Sequence, residues 1–430
     1  MGKLEFNGCK LKVQLEAQSP IIHFQHDQAG ATLRASEVKP KLDRFLLNKM
    51  EQETGKRVAV LKKDNGYAVM FTNKEHNALN YRMNFEVPGN AYWVEPGTFK
   101  PESYSIYYGN SGVHDEKEKK KAVFTNPVMN LMCFNQVLRN YIEKYLVEFF
   151  AVTNFGTMQD KGFGSFMPKE CLQKSGELTL EETKRFAEML KQAAGSVHCY
   201  SMSFVRVRVP EEINAKNAWC TKVFKQIKDF YGIMKSGQNF GGYSRSYLFQ
   251  YMHGTDNKGN RDDLSIDNEK AWLKQKGIVP IIEKNGKTDR VDKNPRYVRA
   301  LLGVGAGMSF IQKDGKRLKV KINHKKGDGD AIERMDSPVK FKIIRNKVFI
   351  TAEEVPEEIY GRMFEFQNKE RNWDGNKRGS LMTPSKEDFK DGKFDIQTFL
   401  ACYVNYYNSR KLRKDKLPSI AGNVEVQEVK

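Results

Sequence analysis

Polar and apolar positions along the chain alternate between two periods. Near the N-terminus Lys10, Lys12, Gln14 and Glu16 alternate with Leu11, Val13, Leu15 and Ala17. A period of two predicts a strand with one buried face, running on into Ser19-Pro20-Ile21-Ile22-His23-Phe24. A polar loop, Gln25 to Thr32, precedes a helix striped by Val38, Leu42, Phe45 and Leu46. Ser36 is its expected N-cap and Pro40 falls in its first turn. Two strand-like pieces, Arg57 to Leu61 and Tyr67 to Thr72, flank Asp64-Asn65-Gly66, a hairpin signal. The clearest helix is Val137 to Val152, where Leu138, Ile142, Leu146, Phe149 and Phe150 oppose Arg139, Asn140, Glu143, Lys144 and Glu148. It leads through Thr153-Asn154-Phe155-Gly156 into Gln159 to Pro168. Strand, helix, hairpin, helix and closing strand is the βαββαβ order of a ferredoxin-like fold.

After a polar helical segment, Leu180 to Ala194, the order restarts. His198 to Val209 alternates as a strand, and Trp219, Val223, Ile227, Tyr231 and Met234 stripe a helix. A turn-rich region, Gly237 to Asn294, is followed by Tyr297 to Leu302 and the loop Gly303-Val304-Gly305-Ala306-Gly307. Strands are expected around Leu318 to Ile322, Val339 to Ile344 and Lys347 to Thr351. Asp395 caps a last helix carrying Ile396, Phe399, Leu400, Tyr403 and Tyr407. The expected fold is α+β: two tandem ferredoxin-like (RRM-like) domains, 1–190 and 191–430, the second decorated. Val87 to Lys121, rich in Gly, Pro, Tyr and charge, reads as an insertion.

A chain of 430 residues is long for one core, and a 39% hydrophobic fraction excludes a disordered polymer. The 72 Lys and Arg against 53 Asp and Glu leave a formal charge of +19, which points to a polyanionic partner. No apolar run approaches a membrane span and the N-terminus lacks a hydrophobic signal core, so a cytoplasmic location is expected. Cys9, Cys133, Cys171, Cys199, Cys220 and Cys402 are scattered without a CxxC pair, which fits reduced thiols and no zinc ribbon. No cofactor and no metal are expected.

Lys161-Gly162-Phe163-Gly164-Ser165 is the most informative short segment. Its glycines allow close backbone approach, its N–H groups could cradle a phosphate, Lys161 adds charge, and Phe163 could stack or pack. Arg34, Lys39, Lys41 and Arg44 lie near the start of the first helix, where the helix N-terminus favours phosphate; a solvated face is the bland reading of each. Arg245, within Gly241-Gly242-Tyr243-Ser244-Arg245-Ser246-Tyr247, joins flexible backbone to aromatic side chains suited to unpaired bases, though an irregular loop before a helix explains it as well. The densest basic cluster contains Lys313, Lys316, Arg317, Lys325 and Lys326, with Lys319 and Lys321 on one strand face suited to a backbone track. His23, His26 and Asp27 could do acid–base work on a 2′-hydroxyl, against the simpler reading of polar loop residues.

Phe155-Gly156-x(5)-Gly162-Phe163-Gly164-Ser165 after a long amphipathic helix resembles the glycine loop of the RAMP superfamily of CRISPR-associated proteins. Ser19-Pro20-Ile21-Ile22 and Leu33-Arg34-Ala35-Ser36-Glu37-Val38-Lys39 are similar to its first strand and basic helix start. Arg334-Met335-Asp336-Ser337-Pro338-Val339-Lys340-Phe341 resembles the arginine-then-Ser-Pro strand of its two-domain members, closest to the first subunit of the type III-B (Cmr) effector. The resemblance implies an RNA-binding subunit of an antiviral effector. Its partners would be guide (crRNA) or target RNA and other CRISPR effector subunits, with Arg334 among the RNA-binding residues. Superfamily members that cut RNA use a histidine near the first helix or an aspartate in this loop, so a metal-independent guide-processing endonuclease using His23 or His26 is the second reading. A basic RNA-binding protein unrelated to CRISPR is the third.

Overall fold

The computed structural model describes residues 4–22, 32–73, 75–87, 92–94, 122–172, 176–204, 213–239, 243–253, 266–279, 294–305, 307–311, 317–368, 378–412 and 424–430. It is a mixed α/β structure built on antiparallel four-stranded sheets.

In the first half the alternating segment forms β1 (Lys10–Ala17), with Leu11, Val13 and Leu15 buried. Helix α1 (Ala35–Thr54) follows, then β2 (Arg82–Glu86), β3 (Val128–Met132), α2 (Gln136–Val152) and β4 (Phe166–Pro168). The sheet order is β2-β3-β1-β4, all antiparallel. Helix α2 begins where Asn135 accepts a hydrogen bond from the Leu138 N–H at 2.9 Å. Helix α1 ends at Gly55, whose φ of 68° and N–H bonded to the Glu51 carbonyl close its last turn.

Two local expectations are corrected. Asp64-Asn65-Gly66 does not turn a hairpin: Val58–Leu61 and Asn65–Ala68 are short helices, and the Asp64 carboxylate accepts the Gly66 N–H at 3.0 Å. An Asx cap and a tight hairpin draw on the same residues, and here the local side-chain bond prevails. Helix α1 starts at Ala35 with Arg34 at the N-cap position, so Ser36 lies inside the first turn and Pro40 beyond it.

Helix α3 (Leu180–Ala194) opens with a Thr179–Glu182 capping box and leads to the second half. There β5 (Tyr200–Ser203) and α4 (Ile213–Lys235) precede an excursion containing α5 (Tyr247–Met252), α6 (Glu269–Gln275), β6 (Gly307–Ile311) and β7 (Arg317–His324). Tyr297 to Leu302 is mostly a 3-10 turn, Val298–Leu302. The chain returns as β8 (Val339–Ile344) and β9 (Lys347–Ala352), adds β10 (Met363–Asn368) and β11 (Arg378–Met382), and closes with α7 (Ile396–Leu412) and β12 (Val426–Glu428). As expected, Asp395 caps α7, accepting the Thr398 N–H at 3.0 Å. One sheet runs β8-β9-β5-β12; the other, from the added strands, runs β6-β7-β10-β11. Taken in chain order, β5, α4, β8, β9, α7 and β12 repeat the strand–helix order and the sheet order of the first half.

The buried apolar residues of both halves form one continuous cluster. Among the described residues no helix is long and apolar enough to cross a membrane. The expected insertion shows only Tyr92–Val94 paired with Ala122–Phe124; residues 88–91 and 95–121 lie outside the described residues, as do 205–209 of the expected His198–Val209 strand.

Candidate nucleic-acid interface

The segments Ser19-Pro20, Asn154–Ser165 and Ser337–Phe341, far apart in sequence, meet at the seam between the halves. Ser19 Oγ donates to the Gly162 carbonyl at 2.6 Å and accepts the Ser165 N–H at 2.9 Å. Ser165 Oγ donates across the seam to the Ile343 carbonyl of β8 at 2.6 Å. The Phe341 N–H donates to the Asp160 carbonyl at 3.0 Å, and Asn154 Nδ2 donates to the Phe341 carbonyl at 2.9 Å. Lys342, buried in β8, donates from Nζ to the Phe150 and Thr153 carbonyls at the end of α2, both at 2.7 Å. Those carbonyls carry the negative end of the helix dipole, so a cation or amine donor suits them.

The glycines are required here by space as well as by φ. Gly164 sits at φ +67°, and a Cβ on it would lie 1.8 Å from the Phe155 carbonyl oxygen. The loop's N–H groups have partners inside the protein: Lys161 to Met158 O, Gly162 to Gln159 O, Gly164 to Pro20 O, and Ser165 to Ser19 Oγ. These internal hydrogen bonds occupy the amides of Lys161, Gly162, Gly164 and Ser165, four of those from which a phosphate cradle was expected. Phe163 is 1% exposed and lies in the core.

The basic residues expected at the first helix separate into two groups. Lys39 Nζ is held by Asp43 Oδ2 at 2.7 Å and the Leu79 carbonyl at 2.9 Å, over the Tyr81 ring. Lys41 Nζ reaches the glycine loop, at 2.7 Å from Gln159 Oε1 and 3.0 Å from the Asn154 carbonyl. Burial lowers the Lys41 pKa, with the Glu37 carboxylate pulling it back up. Arg44 is exposed beside this group and Arg34 is half-buried. Arg334 is exposed at the start of the segment leading to Asp336, a carboxylate that acts on Lys41. The seam thus brings Lys41, Arg44, the glycine loop and the Arg334 segment into one region.

Lys161 Nζ lies 2.9 Å from Asp160 Oδ2 and 3.4 Å from the centre of the Tyr231 ring, in cation–π geometry. One helix turn on from Tyr231, Lys235 Nζ donates to the Leu302 and Gly303 carbonyls at 2.8 and 2.7 Å. Burial pushes the Tyr231 phenol up, but the Lys161 and Lys235 ammoniums outweigh it and leave the pKa below the ordinary value. Burial lowers Lys235 as well. Sequence periodicity marked Tyr231 only as a core residue and missed Lys235 and Lys342. The detectable signal was a lysine placed inside an apolar helix stripe or strand.

The remaining expected residues lie elsewhere. Arg245 is exposed with its guanidinium 4.9 Å from the Phe249 ring centre, while neighbouring Tyr247 is buried in the core. Lys319 and Lys321 are on β7. His23, His26 and Asp27 lie outside the described residues, as do Lys313 and Lys316. Among the described residues no cluster of three or more His, Cys, Asp or Glu could hold a metal ion.

Residues 8–238 match a family described as the Cmr1 N-terminal domain, and residues 243–424 match the Cmr1 C-terminal domain. No curated protein matches the chain.

Proposed function

The chain belongs to the Cmr1 family, a subunit family of the type III-B CRISPR effector, and from that membership we propose that it grips the backbone of guide or target RNA within the assembled complex. Other effector subunits are its protein partners and antiviral defence its setting. In this reading the two halves are tandem ferredoxin-like domains, 1–190 and 191–430. The recurring sheet order, β2-β3-β1-β4 and then β8-β9-β5-β12, supports it.

The observation that carries the RNA-binding reading is the basic seam, where Arg44 and Arg334 stay exposed around a rigid loop in a chain of net charge +19. The loop acts as scaffold. Its amides, Phe163 and Lys41 build the seam, and the exposed guanidiniums around it meet phosphate. Fluorescence anisotropy with a labelled single-stranded RNA tests this across a salt series. Arg44→Glu with Arg334→Glu should weaken binding, and the slope of log K against log salt should fall by about 0.7 for each phosphate the variant no longer neutralises. Unchanged affinity and slope in the double variant would remove the seam from the interface.

A further inference from the structure

The sheet β6-β7-β10-β11 turns one face inward and carries exposed residues on the other. Leu318, Val320 and Ile322 of β7 and Phe364 and Phe366 of β10 are buried. Trp272 packs on Phe366 at 6.0 Å between ring centres, and Tyr297 on Phe364 and Phe366 at 5.5 and 5.1 Å. A Cβ on Gly379 of β11 would lie 2.7 Å from the Trp272 ring, so that side of the edge strand is closed too. Alternation then puts Lys319, Lys321, Gln367 and Arg378 on the opposite face.

The register aligns these residues. Lys321 opposes Gln367, which opposes Arg378, giving one row across three strands. Lys319 occupies the next row, opposite Ser309. Lys319, Arg378 and Ser380 are exposed, and Lys325 and Lys326 continue the exposed basic run beyond β7. Alternate residues along a strand stand about 6.6 Å apart, and residues two strands across about 9.6 Å. An extended polyanion can follow that spacing of cations. Glu365 is the one carboxylate among the described outward positions of these strands.

Two features decide what kind of polyanion fits. The described outward positions carry no aromatic ring, so there is no platform on which bases could stack. Their apolar members are Met363 and Met382, paired at one end, and Ile311, opposite Arg317 on the edge strand at the other, which leaves the middle without the apolar centre of a protein interface. We propose that this face is a separate track for single-stranded RNA, held by its phosphates without reading its bases. The proposal rests on the RNA-binding reading above and adds a second location to it, with Arg378 as a contact.

The test uses the full chain with labelled oligouridine and oligoadenosine in anisotropy titrations. Lys319→Glu with Arg378→Glu should weaken both RNAs to the same degree and lower the salt slope by about 1.4, the effect of two neutralised phosphates. Thermal melting should be unchanged, because both side chains are exposed; Lys319→Gln with Arg378→Gln replaces the pair where charge reversal disturbs folding. If the wild-type chain binds neither RNA, the RNA-binding reading falls and takes this proposal with it. If the wild type binds and the double variant matches it in affinity and slope, this proposal alone falls. Weakening for only one homopolymer means that the face reads bases and overturns the proposal. So does unchanged RNA binding with abolished co-purification of other effector subunits, which would make the face a protein-docking surface.

Discussion

The ring of Phe163 lies flat against that of Phe224, with 4.0 Å between centres and 18° between planes. Phe163 belongs to the glycine loop of the first half and Phe224 to α4 of the second, so the segment most suggestive of ligand binding is also a packing joint. Gly162 and Gly164, at φ +87° and +67°, turn the backbone so that the ring between them points inward.

Phe163→Ala should therefore act on stability. Truncating a fully buried phenylalanine costs about 3–5 kcal/mol, so the urea midpoint should fall markedly. The folded fraction should keep wild-type RNA affinity at low temperature. A large drop in affinity in a folded Phe163→Ala protein would show that the ring meets RNA.

Lys342 makes stability depend on pH. Burial, reinforced by Lys41, lowers its pKa well below the ordinary 10.5 in the folded chain, while the unfolded chain keeps the ordinary value. Between the two values the unfolded chain binds more protons, so this lysine makes stability rise with pH across that window. A neutral amine still has two N–H groups for the Phe150 and Thr153 carbonyls. Urea midpoints measured from neutral to mildly alkaline pH should climb more in the wild type than in Lys342→Met; parallel curves would contradict the assignment.

Lys39 looks like a phosphate ligand in sequence but neutralises Asp43, which is 5% exposed. Lys39→Ala leaves a buried carboxylate without its charge-assisted partner, at a cost of about 1–3 kcal/mol. The expected result is a lower melting temperature and an unchanged salt slope for RNA binding. A reduced slope with unchanged melting would return Lys39 to the RNA interface.

The thiols report on the packing. Cys133, Cys171, Cys199 and Cys220 are buried, whereas Cys9 and Cys402 are partly exposed. Burial pushes Cys171 up to about 11 and Cys199 up to about 12, which removes the reactive thiolate near neutral pH. A thiol reagent should label Cys9 and Cys402 in the native protein and the other four only after unfolding, as read by peptide mass mapping. Rapid native labelling of Cys199 would mean that β5 is not seated as described.

Local pattern carried much of this protein. Alternation over Lys10–Ala17 located β1, the stripe from Leu138 to Phe150 located α2, and Asp395 marked the start of α7, because period and capping act within a few residues. The recurring strand–helix order and the short Gly-Phe-Gly-Ser and Ser-Pro motifs were legible for the same reason, and they led to the family. The hairpin expected at Asp64 failed because one tripeptide supports both a turn and an Asx cap.

Only the tertiary structure decided what the motif residues do. Lys41 and Lys161 look alike as surface cations in sequence, yet one is spent on Gln159 and the Asn154 carbonyl and the other on Asp160 and the Tyr231 ring. The glycine loop was readable as a loop, but not as a joint. Its Ser165 hydroxyl finds the Ile343 carbonyl 178 residues away, and that pairing exists only once both halves are folded. Sequence supplies each donor and acceptor; burial and long-range packing determine which of them are consumed inside and which, like Arg44, Arg334 and Arg378, are left facing solvent.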